Sequence, residues 1–187
     1  MTSTSVITSN VPALEAGTWQ VDPAHSEIAF TVRHLMSKVR GVFREFEGQV
    51  DIAADTLDST AHATIQLSSV DTGAAQRDDH LRSSDFFDVE TKPTMTFAST
   101  SLGEGDDGYV LTGDLTVNGV TKSVELVVEL LGTEVDGYGR TVAGFEATGE
   151  VNRKDFGVDW NMPLDGGRLL VGDKVALSLT IQAVKQD

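Results

Sequence analysis

Apolar and polar residues alternate with a period of two along most of this chain, in one strand-length run after another. One set reads Phe30, Val32, then Val42, Phe46, Val50, Ile52, then Ala61, Ala63, Ile65, Leu67. It resumes as Tyr109, Leu111, Leu115, Val117, then Val124, Leu126, Val128, Leu130, then Ala143, Phe145, Ala147, Val151. It closes as Val175, Leu177, Leu179, Ile181. The interleaved positions are mostly Thr, Ser, Glu, Asp, Gln and Asn. Alternation of this kind belongs to antiparallel strands with one buried face and one wet face.

Strands are expected at 18–21, 26–35, 41–53, 59–70, 94–101, 109–117, 121–132, 140–151 and 174–185. If Pro23 only bends the first pair into one strand, eight remain. The fold class is therefore all-β, an extended eight-stranded antiparallel up-and-down barrel, since closure removes the exposed edges. A barrel of that size either fills its interior with side chains or leaves room for one small ligand, and alternation alone does not separate the two.

Turn chemistry agrees with the strand assignment. Asn118-Gly119 suits a two-residue hairpin whose central residues both need positive φ. The segments 103–108 and 132–139 are Gly/Asp-rich connections. Residues 74–84 lack β-branched side chains and read as a short helical insert, with Asp71 or Thr72 able to cap its start. The 152–173 connection is long for a hairpin and carries Phe156, Trp160, Met162 and Leu164, which suits a lid.

Connections of an up-and-down barrel alternate between its ends. On that basis 35–41, 71–93, 118–121 and 152–173 share one end, together with Arg33, Lys38, Arg40, Arg77, Arg82, Lys92, Lys122, Arg153, Lys154, Arg168 and Lys174. The other end holds Asp55, Asp58, Glu104, Asp106, Asp107, Glu134 and Asp136 against Arg140.

The 187 residues suit one domain, a flexible tail over 1–16 and a barrel over 17–187. Without cysteine there is no disulfide, thiolate metal site or Cys nucleophile. A formal charge of −15 opposes general nucleic-acid binding and non-specific adsorption to anionic membranes. Residues 1–16 contain no Lys or Arg and no apolar run of secretory length, which points to the cytoplasm. No window reaches the roughly 18 apolar residues of a spanning helix.

His25, His34, His62 and His80 are far apart in sequence, so no metal site is expected. Asp22, His25 and Ser26 have the residue types of a hydrolase triad, but residues three apart on a strand face opposite sides. Asp78-Asp79 and Asp106-Asp107 read as solvated pairs. The dense basic stretch 33–41 is either a solvated hairpin tip or an anion site at the barrel mouth.

Six blocks in order carry a family resemblance: Trp19 to Phe30, Gly41 to Gly48, Arg77 to Phe87, Lys92 to Phe97, Gly113 to Lys122 and Asn152 to Gly157. Together they resemble the YceI-like family across about residues 17 to 185. The resemblance implies a lipocalin-like barrel, commonly dimeric, that holds an amphiphile such as a prenyl diphosphate or an isoprenoid quinone. Many relatives are exported, whereas this sequence shows no export signal.

The combined expectation is a carrier or store for an isoprenoid or fatty amphiphile, not an enzyme, with that lipid as ligand and no cofactor. Tail contacts are expected from Phe30, Val32, Phe46, Leu67, Leu111, Leu126, Phe145 and Leu177. Head-group contacts are expected from Arg33, His34 and Arg40, with Trp160 and Met162 as lid. The partner is a small lipid, without nucleic acid or stable membrane insertion, and a homodimer fits. Two alternatives stand beside it: an enzyme acting on a prenyl diphosphate or lipid ester with His34 as base, and a stress-protective or interaction barrel with a filled core.

Overall fold

A computed structural model describes residues 14–187. The strands are β1 (Gly17–Val21), β2 (Glu27–His34), β3 (Ser37–Phe43), β4 (Phe46–Ile52), β5 (Thr60–Gln66), β6 (Val70–Asp71), β7 (Thr94–Gly105), β8 (Gly108–Val117), β9 (Val120–Val135), β10 (Thr141–Asn152) and β11 (Val171–Lys185). One α-helix, α1 (Ala75–Arg82), lies between β6 and β7. Most of the expected tail, residues 1–13, lies outside the described residues. Leu14 packs against the cluster around Trp19, and the Glu15 carbonyl accepts the Trp19 indole N–H at 3.0 Å.

Three of the barrel's staves are bent strands. β1 and β2 flank the Pro23–His25 turn and share one long partner: Trp19–Val21 pair with 183–185, and Glu27–Val32 pair with 175–180. β3 and β4 are broken at Arg44-Glu45, and β5 and β6 at the Leu67–Ser69 turn. Counted as staves, eight antiparallel strands run in sequence order, and the β1–β11 pairing closes the ring. Every connection joins neighbours, as the alternation of ends requires.

The bends alter the inward register. Phe30 pairs with Gly41 and Ile28 with Phe43, so Phe43 faces the interior and Val42, expected inside, faces out. On β4 the inward set is even-numbered, beginning at Phe46, which pairs with Ile65. The Arg44-Glu45 break accounts for this, because it shifts the parity between the two halves of one stave. The connection expected at 35–41 is also mostly strand. Its turn is only Leu35-Met36, and Lys38, Val39 and Arg40 lie on β3.

α1 is shorter than its predicted span, and neither Asp71 nor Thr72 caps it. Instead Asp78, buried within the helix, accepts from the Thr72 backbone N–H at 2.9 Å and from its hydroxyl at 2.5 Å. Arg77 donates to the Thr72 hydroxyl and carbonyl, both at 2.7 Å. These bonds tie the helix to the end of β6. Asp22 and His25 do meet, Nδ1 to Oδ2 at 2.7 Å, because a 3-10 turn brings residues three apart to one side. Ser26 turns away to the backbone of Gln182, so no triad forms. No helix among the described residues is long and apolar enough to cross a membrane.

Candidate ligand-binding site

The barrel interior is not filled. It encloses two cavities along its length, an upper one of about 220 Å³ at the α1 end and a lower one of about 440 Å³. Neighbouring inward positions of the same strands divide between them. Phe30, Met95, Leu115, Val151 and Leu177 line the upper cavity, whereas Ile28, Phe97, Leu111, Ala147 and Leu179 line the lower.

Glycines keep the intervening waist from closing. Phe30, Phe97 and Leu126 lean onto Gly41, Gly113 and Gly149 of adjoining strands. A Cβ at those glycines would stand 2.4 Å from the Phe30 ring, 2.4 Å from the Phe97 ring and 2.7 Å from Leu126 Cδ2. Bulky side chains therefore lie against the wall instead of projecting to the axis. Below the lower cavity, Trp19, Ile52, Ala143 and Ala183 pack into a plug.

Of the expected tail contacts, Phe30, Val32 and Leu177 line the upper cavity, and Phe46, Leu111, Leu126 and Phe145 the lower. Leu67 lines neither. It is wholly buried in the wall among Phe30, Phe43, Ile65 and Val70, because the Leu67–Ser69 turn takes it off the strand. His34 and Trp160 line the upper cavity, while Met162 is half exposed outside it.

Arg33 and Arg40 reach neither cavity. Both occupy outward positions: Arg33 pairs with Lys38 and bonds the Leu35 carbonyl, and Arg40 forms an ion pair with Glu27. The alternation already implied this, since His34 shares a face with Phe30 and Val32.

The polar groups that line the upper cavity are instead His34, Arg77, His80 and Arg153. Arg153 is only 7% exposed. Its Nε donates to the Gly172 carbonyl at 2.8 Å, and Nη1 to the carbonyls of Val158 and Trp160 at 2.9 and 2.8 Å. Burial lowers its pKa from the ordinary arginine value, opposed by Asp173 and Asp159. This residue clamps the long connection onto the barrel. His80 bonds Asp85 at 2.9 Å and meets the rings of Phe86 and Trp160 with centroids 5.0 and 4.7 Å apart. The upper end is thus roofed jointly by α1, the segment after it and the long connection. Sequence reasoning placed Arg77 and Arg153 at this end but not in the cavity; the available signal was their position beside aromatic runs, DHLRSSDFF and NRKDF.

Comparison with known proteins agrees with this architecture. A family model described as the YceI-like domain matches residues 19–183. Protein YceI of Escherichia coli O157:H7 is 39% identical over 168 residues, covering 87% of this chain and 83% of that protein. Among solved structures, BcnA of Burkholderia cenocepacia superposes with a TM-score of 0.72 at 26% identity, over 87% of this chain and 98% of that one. A polyisoprenoid binding domain from Saccharophagus degradans shares the fold, with a TM-score of 0.61 at 15% identity over 92% and 100% of the two chains. With matching sequence blocks, barrel closure and family model all in agreement, this chain belongs to the YceI-like family.

Proposed function

We infer that this protein binds and carries an amphiphilic lipid, with an isoprenoid or fatty tail in the barrel and a polar or anionic head at the α1 end. The observation that carries the reading is the pair of largely apolar cavities in line, with cationic and imidazole groups lining the upper one. Ligand cavities commonly span about 300–1,000 Å³. The neighbour from Saccharophagus degradans described as polyisoprenoid binding lends support through the shared fold alone.

The tail dominates affinity. Each buried methylene contributes about 0.8 kcal/mol, so a few isoprene units outweigh one charged hydrogen bond of roughly 1.5–3 kcal/mol. Ordering the chain offsets much of that total. The head group then sets direction, with Arg77 the favoured anchor: Nε and Nη2 are held by Thr72, leaving Nη1 free of the hydrogen bonds found among the described residues.

Leu111→Trp is the direct test, because the added rings fall into the lower cavity. Native mass spectrometry of the purified wild type should show a lipid-sized adduct, and the variant should lose most of it while unfolding at nearly the same temperature. A wild type without adduct, or a variant with full occupancy, would overturn the reading.

A lipid-ester or prenyl-diphosphate enzyme is a second reading, favoured by one observation. His80, rather than His34, has a carboxylate partner that can orient an imidazole base. Turnover lost in His80→Gln with binding retained would support it.

A further inference from the structure

An apolar hairpin turn and the apolar base of a second hairpin meet beside the upper cavity. One is the Leu35-Met36 turn between β2 and β3. The other is the 162–170 segment, closed by the Pro163–Leu169 bridge and by the Leu170 N–H donating to the Met162 carbonyl at 3.0 Å. The Leu35 N–H donates to the Leu170 carbonyl at 2.9 Å, which joins the first turn to the base of the second hairpin as one ledge. Met36 is 95% exposed, and Leu35, Met162 and Leu169 are 46%, 50% and 38% exposed. His34, Leu170 and Val171, the chain neighbours of Leu35 and Leu169, line the upper cavity.

The turn is not built for stability. Leu35 has φ +54°, a left-handed conformation that costs a bulky side chain energy. The same chain closes another hairpin at this end with Asn118-Gly119, which adopts positive φ with little strain. Folding therefore does not require an apolar pair at 35–36.

Charge distinguishes this ledge from other exposed apolar groups. Residues 33–40 and 161–171 carry Arg33, Lys38 and Arg168 against Asp165, with Arg40 paired to Glu27 of β2, in a protein of net charge −15. The opposite end also exposes Val135 and Tyr138, but its loops bear seven acids and Arg140. Grease and positive charge coincide beside the cavity, the combination that suits an anionic interface.

We propose that the ledge docks reversibly on an anionic lipid bilayer, with Leu35 and Met36 among the head groups and Arg33, Lys38 and Arg168 against lipid phosphates. Ligand then passes between bilayer and upper cavity without exposing its tail to water. The proposal rests on the lipid-carrier reading and names the partner from which that site is loaded.

Flotation of the full chain with phosphatidylcholine vesicles, with and without phosphatidylglycerol, tests it. The wild type should float with the phosphatidylglycerol vesicles, and less so at high ionic strength. The double variant Leu35→Asn, Met36→Gly installs low-strain turn residues, so it should unfold no earlier than wild type. Its flotation should fall at least about fivefold, and transfer of lipid from vesicles into the cavity should slow with it. Absent wild-type flotation, or equal flotation of both proteins, overturns the proposal. A dimer that the double variant abolishes, without vesicle binding, overturns it in favour of an interface between copies. Vesicle binding by a protein that purifies without lipid sinks the carrier reading and leaves the docking intact.

Discussion

At three places on the inner wall a large side chain rests on a glycine across the strand boundary, which decides how much space is left at the axis. Gly113 is the sharpest case. A Cβ there would stand 2.4 Å from the Phe97 ring and 2.8 Å from the Ala98 carbonyl oxygen, so ring and backbone must both give. Gly113→Ala should therefore cost about 1–3 kcal/mol, the range for overpacking, and should reduce lipid occupancy by pushing Phe97 inward. Gly103→Ala meets nothing within 4 Å and should leave the unfolding midpoint nearly unchanged. Equal midpoints for the two variants in denaturant titration would remove the glycine argument. Strand parity alone places Leu111, Leu126, Phe145 and Leu177 on the inner face, and there they line the cavities. At Arg33 and Arg40 the density of charge suggests a cavity mouth, whereas the same parity turns both outward.

Between elements, the long connection after β10 is held by one buried cation. Arg153 supplies donors to the carbonyls of Val158, Trp160 and Gly172, and its Nη2 lies 3.4 Å from the Val171 carbonyl. Leu in its place would take the donors from the Val158, Trp160 and Gly172 carbonyls, while Val171 keeps the Asn161 amide at 2.8 Å, a cost of about 3 kcal/mol on the scale of buried unsatisfied groups. Arg153→Leu should speed hydrogen exchange across 157–171 more than in β8 or β9, and should loosen Trp160 over the cavity. Uniform exchange changes would instead mean a global effect. The elements themselves were legible, since period-2 runs and the Asn118-Gly119 turn locate every long strand. Their bends were not, because a two-residue break such as Arg44-Glu45 reverses parity without any Gly or Pro to announce it. The expected cap does not form for a similar reason: Asp78 reaches back to Thr72, the reverse of the usual arrangement.

Charge acts on the molecule as a whole, and its two effects oppose each other as pH falls. A net −15 at pH 7 repels itself and weakens the compact state, so partial protonation towards pH ~5 relieves strain. Against this stand four carboxylates whose pKa values lie below the ordinary range. Asp22 is lowered chiefly by its bond to His25, Asp51 by Gln49 and Thr18, Asp71 by the Arg44 side chain, and Asp136 by the Arg140 backbone N–H. A depressed folded-state pKa means that the unfolded chain binds the proton first as pH falls. The stability these groups confer is therefore complete above the unfolded value of about 3.9 and lost as pH drops through the lower folded value. The melting temperature should hold or rise from pH 7 to about 5, then fall below about 4. Asp51 offers the clean probe, because its bond to Thr18 at 2.8 Å joins β1 to β4 next to the closure of the barrel. Asp51→Asn should narrow the stability difference between pH 5 and pH 3 in denaturant titrations at both values. An unchanged difference would show that the strand-bridging carboxylate takes no part in the acid limb.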